Sequence, residues 1–231
     1  MRTARERTGF TLLEVMVVAA VLGLMAAMAV PAWRNVQANN RLRDAAGDVA
    51  DTLSLARARA IARGDNFVVY FNTGLNGGTD LCGNALVDAN GDPAPILMLD
   101  DGPPGGANSN CCIDAGETVE TLPGATGVQW GVDFAAVPAP GDADPAANFA
   151  NGSTFTDPAG AVREWVAFRP DGIPVGFNDA AVPGSCTLGT TGTGAGAVYV
   201  NNDRRDIAIV MSPLGGIKVH SYERSGAAWT N

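Results

Sequence analysis

Few residues in this chain have the type and spacing that catalysis demands. Histidine occurs once, as His220, so no Ser/His/Asp order stands out from chance. His220 lies in a strand-like stretch, where it is expected to be an exposed or hydrogen-bonded strand residue before a general base. The run Gly192-Thr193-Gly194-Ala195-Gly196 has the glycine content of a phosphate loop. It lacks the GK[S/T] ending and opens no helix, so it reads as a flexible loop. Cys186 follows Ser185 in a turn-like segment with no catalytic partner in the pattern. Nothing here specifies an enzyme, and no organic cofactor is implied.

Two other groups have metal-binding chemistry. Asp88-Ala89-Asn90-Gly91-Asp92 sets oxygen donors at alternate positions, as calcium loops do, and Asp100, Asp101 and Asp114 add further carboxylates. A twelve-residue calcium loop of the EF-hand kind needs Gly at its sixth position and Glu at its twelfth, and here these are Pro93 and Leu99. A solvated Asn/Gly/Asp turn is therefore the preferred reading, with calcium on Asp88, Asn90 and Asp92 as the alternative. Cys82, Cys111, Cys112 and Cys186 contain no C-x-x-C, which argues against structural zinc. Outside the cytoplasm an even count favours two disulfides, for which three pairings exist. A bridge between the adjacent Cys111 and Cys112 is strained, so one is expected to take Cys82 and the other Cys186.

The most informative single residue is Glu14. It interrupts an apolar run from Phe10 to Val30, broken otherwise only by Thr11. As a helix this run rises roughly 31 Å, which matches a hydrocarbon core of about 30 Å. A carboxylate within such a span costs on the order of 2–3 kcal/mol near its centre and less at its edge. It is therefore either wetted at the interface or kept for a partner. The preceding residues 1–9 are basic and polar, carrying Arg2, Arg5 and Arg7 against Glu6. That asymmetry holds the start of the span on the cytoplasmic side and the body outside.

Gly9-Phe10-Thr11-Leu12-Leu13-Glu14, behind a basic leader and ahead of an apolar span, resembles the processing site of type IV prepilins. Pro31 and the small residues Ala19, Ala20 and Gly23 fit the same family. The resemblance implies cleavage between Gly9 and Phe10 by a prepilin peptidase, N-methylation of Phe10, and residence in a bacterial inner membrane with a periplasmic head. It also implies later entry into a pilus or pseudopilus beside other pilins. Glu14 would then pair with the Phe10 amine of a neighbouring subunit or its own. Two rivals are an ordinary secretory signal cut after Ala27-Met28-Ala29 and a plain single-span anchor. Glu14 argues against both, as does a helical pattern that outlasts the span.

That pattern is explicit. Beyond Pro31, which is expected to kink or loosen the helix, Leu42, Ala46, Val49, Leu53, Ala56 and Ala60 recur at steps of four and three. They form one stripe, with Asp44, Asp48 and Asp51 opposite. Gly64 is the expected C-cap, and Arg57, Arg59 and Arg63 sit near the negative end of the dipole. The chain thus divides into a leader (1–9), a membrane or filament-core helix (10–30), an amphipathic continuation (31–63) and a β-rich head (64–231). Strands are expected at Phe67–Phe71, Ile96–Leu99, Thr118–Leu122, Gly127–Phe134, Arg163–Phe168, Ala197–Asn201, Asp206–Met211 and Ile217–Tyr222. The fold class is α+β, a pilin-like long helix packed on an antiparallel sheet.

Phe168-Arg169-Pro170-Asp171-Gly172, then Ile207-Ala208-Ile209-Val210, then Gly215-Gly216-Ile217-Lys218-Val219 resembles the GspH/FimT group of minor pseudopilins. The stretch 72–160 is insertion-like against that pattern. The formal charge of −9 becomes about −11 without residues 1–9, which carry a net +2. Such a body is a poor binder of nucleic acid, and Arg204, Arg205, Lys218 and Arg224 are a thin basic set. The leading function is a structural minor subunit that assembles into or primes a filament. The alternatives are a pilus-associated module that captures DNA or a surface ligand, and an anchored periplasmic binding protein.

Overall fold

The structure, a computed structural model, describes residues 11–74, 77–106, 108–142, 149–179 and 186–230. Its first element, α1, spans Leu12–Arg63 and is helical through Pro31. The chain divides into two compact units inside α1, one ending at Asn40 and the other starting at Arg41. Each is described by itself below.

In the first unit the helix keeps its apolar side chains outward. Leu12, Met16, Leu22, Leu24, Met28 and Trp33 are all exposed. In the second unit the helix buries Leu42, Ala46, Val49, Leu53, Ala56 and Ala60, the stripe that the spacing predicts, with Thr52 added. Thr52 is buried without cost because its hydroxyl donates to Asp48 O, 2.7 Å away. Gly64, at φ 77°, ends the helix in the left-handed region that a residue with Cβ enters only under strain.

Twelve strands follow. β1 (Phe67–Phe71), β2 (Ile96–Asp100), β3 (Val119–Leu122), β5 (Trp165–Phe168) and β6 (Pro174–Val175) form one sheet in the order β3-β2-β1-β5-β6. β4 (Gln129–Trp130), β9 (Gly196–Asn201), β10 (Asp206–Met211), β11 (Ile217–Glu223) and β12 (Ala228–Thr230) form a second, in the order β12-β11-β10-β9-β4. β7 (Phe177–Asp179) and β8 (Cys186–Leu188) pair alone. Every strand pair is antiparallel. The head is therefore built on two five-stranded sheets, where the pattern suggested one.

A single core joins the stripe of α1 to one face of each sheet. Leu42, Val49 and Leu53 meet Phe67, Val69, Phe71, Met98 and Phe168 of the first sheet, and Val198, Ile207, Ile209 and Met211 of the second. The far face of the first sheet is covered too, by Leu86, Cys111 and Phe177 over Val68, Tyr70, Leu97, Trp165 and Val175. Burial on both faces explains why β1 reads as a continuous apolar run without alternation. The stretch 72–160 supplies β2, β3 and β4, so part of it is sheet.

Gly127–Phe134 was expected to be one strand, and only Gln129–Trp130 is. Gly131, at φ 92°, turns the chain away, and a Cβ there would lie 2.3 Å from Ala150 O. The next amides are taken by a carboxylate, as described below. The glycine run before β9 is also not a flexible loop. A Cβ on Gly194 would lie 2.3 Å from Val175 N and Pro174 C, so the run is glycine because backbone passes against backbone.

Candidate functional site

The N-terminal end of α1 is organised by Thr11. Its hydroxyl oxygen accepts the Glu14 N–H at 3.2 Å, and its carbonyl accepts the same N–H at 3.1 Å and that of Val15 at 3.2 Å. Thr11 is thus the N-cap and Glu14 the third helical residue, and the Thr11 hydroxyl makes the N-cap half of a Thr-x-x-Glu pattern. The carboxylate also sits where the helix dipole favours negative charge. This arrangement is written in the sequence as Thr11-Leu12-Leu13-Glu14. From Thr11 to Trp33, Glu14 is the one charged residue. The neighbours that follow it, Val15, Met16, Val17 and Val18, are more than half exposed. A window of mean hydropathy 2.4 makes this helix long and apolar enough to cross a membrane. Gly9 and Phe10 lie outside the described residues.

Residues 5–30 match the family described as the prokaryotic N-terminal methylation motif. The chain is also 41% identical over 68 residues to the type II secretion system core protein G of Vibrio cholerae serotype O1. That alignment covers 29% of this chain and 44% of the relative, so the chain spans less than half the length of the curated relative it matches. No solved structure gives a significant match. The N-terminal segment carries the prokaryotic methylation motif. The described part of that segment is an apolar helix whose side chains face outward, an exposed apolar surface larger than soluble proteins usually leave to water.

The head of this chain is held by covalent and carboxylate tethers. Cys82 pairs with Cys112 and Cys111 with Cys186, at Cα–Cα distances of 5.8 and 5.7 Å. Asp101, Cys111 and Cys186 lie close enough together to suggest a metal, but both sulfurs are consumed by their bridge. Asp80 accepts the N–H of Cys82, Asn84 and Ile113. Asp101 accepts those of Asn110 and Cys111 and the Ser109 hydroxyl. Asp206 accepts three consecutive amides, Asp133, Phe134 and Ala135, at 2.7–2.9 Å.

Two buried carboxyls show how environment sets charge. Burial pushes the Asp101 carboxyl up to about 7, and Glu117 adds repulsion, against the opposing hydrogen bonds from Cys111, Asn110 and Ser109. Burial also pushes Asp157 upward, but hydrogen bonds from Ala161, Arg163 and Ala159 outweigh it and leave that carboxyl below its ordinary value. Burial raises Glu117 and Tyr70 as well. The Tyr70 hydroxyl donates to Cys111 O inside the same loop cage.

Asp88, Asn90 and Asp92 share one exposed turn. Asp88 Oδ1 accepts the amides of Asn90 and Asp92 at 2.8 and 2.9 Å, and Asn90 Nδ2 donates to Oδ2 at 3.3 Å. Those backbone donors, Asp92 first, hold the Asp88 carboxyl low. Its oxygens are thus occupied by the turn itself. His220 is in β11, as the pattern suggested, yet it is neither exposed nor satisfied. It is 4% exposed, and among the described residues its Nε2 has no hydrogen-bond partner.

Two glycine turns of the head close on Arg57 and Ile61 near the end of α1. Arg57 Nη1 donates to Gly215 O at 2.8 Å, in the turn between β10 and β11. Gly172, in the turn between β5 and β6, packs so near that a Cβ would lie 2.5 Å from Ile61 Cδ1 and 3.4 Å from Arg57 Nε. One turn comes from each sheet, and both glycines have positive φ, 79° and 75°.

Proposed function

We propose that this chain is a structural, non-catalytic subunit of a type IV pilus or of a type II secretion pseudopilus, and that it serves as a minor member of the GspH/FimT kind. The observation that carries this reading is the lone carboxylate Glu14 in the first turn of an otherwise apolar, exposed helix that matches a methylation motif. The chain is inserted as a prepilin in the inner membrane with its head in the periplasm. A prepilin peptidase cuts between Gly9 and Phe10, and the new Phe10 amine is methylated. That amine is largely protonated at neutral pH if its pKa stays near ~8.

In the filament core, Glu14 and the Phe10 amine of a neighbouring subunit pair, which offsets the desolvation of both and fixes the axial register of the helices. The apolar residues between Leu12 and Val30 exchange lipid for other helices, and Pro31 marks the end of that zone. The two glycine turns gathered on Arg57 support the minor-pseudopilin assignment. The partners are other pilins or pseudopilins and the peptidase.

The test is the intact mass of the protein from membranes of a host that contains its peptidase, followed by cofractionation with the pilins. A chain starting at Phe10 with one added methyl group, recovered with the filament fraction, is the expected result. A chain starting near Val30, or one uncut in that host, overturns the reading.

A further inference from the structure

The outer face of the second sheet carries a pocket that the assembly reading does not use. In the register of β10 and β11, Ala208 faces His220 and Val210 faces Lys218, so these side chains share one side of the sheet. Val210, Lys218 and His220 line an open cavity of about 430 Å³ together with Gly141 and Trp229. That volume lies in the range of small-molecule sites.

The polar groups of this pocket are all able to donate. His220 Nε2 is buried with no partner among the described residues, an arrangement that costs free energy unless a ligand completes it. Burial, and then the Lys218 ammonium, hold the imidazole below its ordinary pKa, so it is neutral at pH 7 and able to offer an N–H. Lys218 is exposed and has no carboxylate within ion-pair distance among the described residues. Ser212 Oγ accepts the Gly216 N–H at 2.9 Å, which leaves its own hydrogen to give. The apolar groups are fixed. Trp229 is held by a 2.9 Å bond from Nε1 to Val137 O and by edge contacts with Tyr199 and Tyr222. Its ring and Val210 therefore present apolar surface at the pocket without needing to move.

We propose that this pocket binds an organic carboxylate with an apolar body, the carboxylate resting on Lys218 and His220 and the body on Val210 and Trp229. Such a group comes either from a small free acid or from the C-terminus of a peptide chain ending in an apolar residue. Charge, rather than apolarity alone, selects the ligand, because the formal charge of the chain is −9 and Lys218 is a local exception to it. This inference concerns the head only and stands whether or not the helix assembles.

The single histidine makes the test direct. Full-length protein in detergent micelles, labelled with ¹⁵N at histidine, gives imidazole signals from His220 alone. Titration with 3-phenylpropionate and with a tetrapeptide ending in Phe is expected to move those signals saturably with at least one of the two. The matched amides, and the Lys218→Gln variant with the acids, are expected to bind about tenfold more weakly or worse. Saturation by the small acid alone identifies a free acid as the source, and saturation by the peptide acid assigns a chain terminus. The proposal is overturned by no saturable shift up to about 10 mM of either acid, by amides that bind as well as acids, or by unchanged affinity in Lys218→Gln.

Discussion

Residues 12–40 and 41–63 belong to one helical element, yet their side chains obey opposite rules. In the first stretch nearly every large apolar residue faces outward, with Leu12 at 79% and Met28 at 70% exposure. In the second, one stripe of apolar residues vanishes into the core, with Leu42, Leu53 and Ala56 at 0%, and only Leu55 and Ile61 among its large apolar residues stay exposed. The comparison teaches that only the second stretch was selected to stabilise its own chain. The first is finished only by an environment, lipid or other helices, that the isolated chain does not contain.

The largest effect expected from this contrast is on assembly. Glu14→Ala should cut recovery in the filament fraction by about tenfold or more, the scale of losing one partner of a buried ion pair, while cleavage and the thermal midpoint of the head stay as they are. Recovery at the wild-type level would break the division of labour between the two stretches. Next comes Leu53→Ala, which empties space in the core and should cost about 2–5 kcal/mol. Calorimetry should find the head midpoint lowered by several degrees, whereas Leu22→Ala in the first stretch should leave it within about 1 °C.

A smaller effect separates the two carboxyls. The folded-state pKa of Asp101 is raised to about 7 from an ordinary value of 3.8. Its stabilising contribution is therefore complete below the unfolded value and is lost as pH rises through about 7. Asp157, held low, contributes above its unfolded value and loses that contribution only as acid protonates it. Between pH 5 and 8, then, Asp101 responds and Asp157 does not. Asp101→Asn keeps an oxygen for the amides of Asn110 and Cys111. At pH 8 it should melt about 3 °C or more above the wild type, and the advantage should shrink to less than about half of that at pH 5. His220 is pushed in the opposite sense, but it is common to both proteins and cancels in the difference. The smallest effect concerns Asp88: calcium at about 1 mM should shift the midpoint by less than about 1 °C, because the turn already occupies the carboxylate. A larger rise would assign a metal to Asp88, Asn90 and Asp92.

The legibility of the molecule followed the range of its interactions. The stripe of α1 could be read residue by residue because helical spacing is local. The strands β1, β2, β10 and β11 announced themselves through dense β-branched and aromatic residues. β6, β8 and β12 have only two or three residues each, too few to carry a period. The end of β4 was hidden for a different reason: what unpairs residues 133–135 is Asp206, more than 70 positions away. At the N-terminus, Glu14 was legible as an anomaly, and Thr11 three residues before it was equally legible as an N-cap. The pocket at His220 was out of reach, since it forms only where the loop of Gly141 and the neighbouring strand β12, which carries Trp229, meet β10 and β11.

The Asp206 tether has a consequence for how this molecule behaves in deuterated water. Amides 133–135 lie in irregular backbone, where rapid exchange is the usual rule, yet each donates to a carboxylate that is itself 0% exposed. Their release requires the carboxylate to open as well, and Asp206 begins β10, in the middle of the second sheet. These three loop protons should therefore exchange in step with the sheet, among the slowest in the head. A map of slow amides would draw a molecule whose ordered region is larger than its strands.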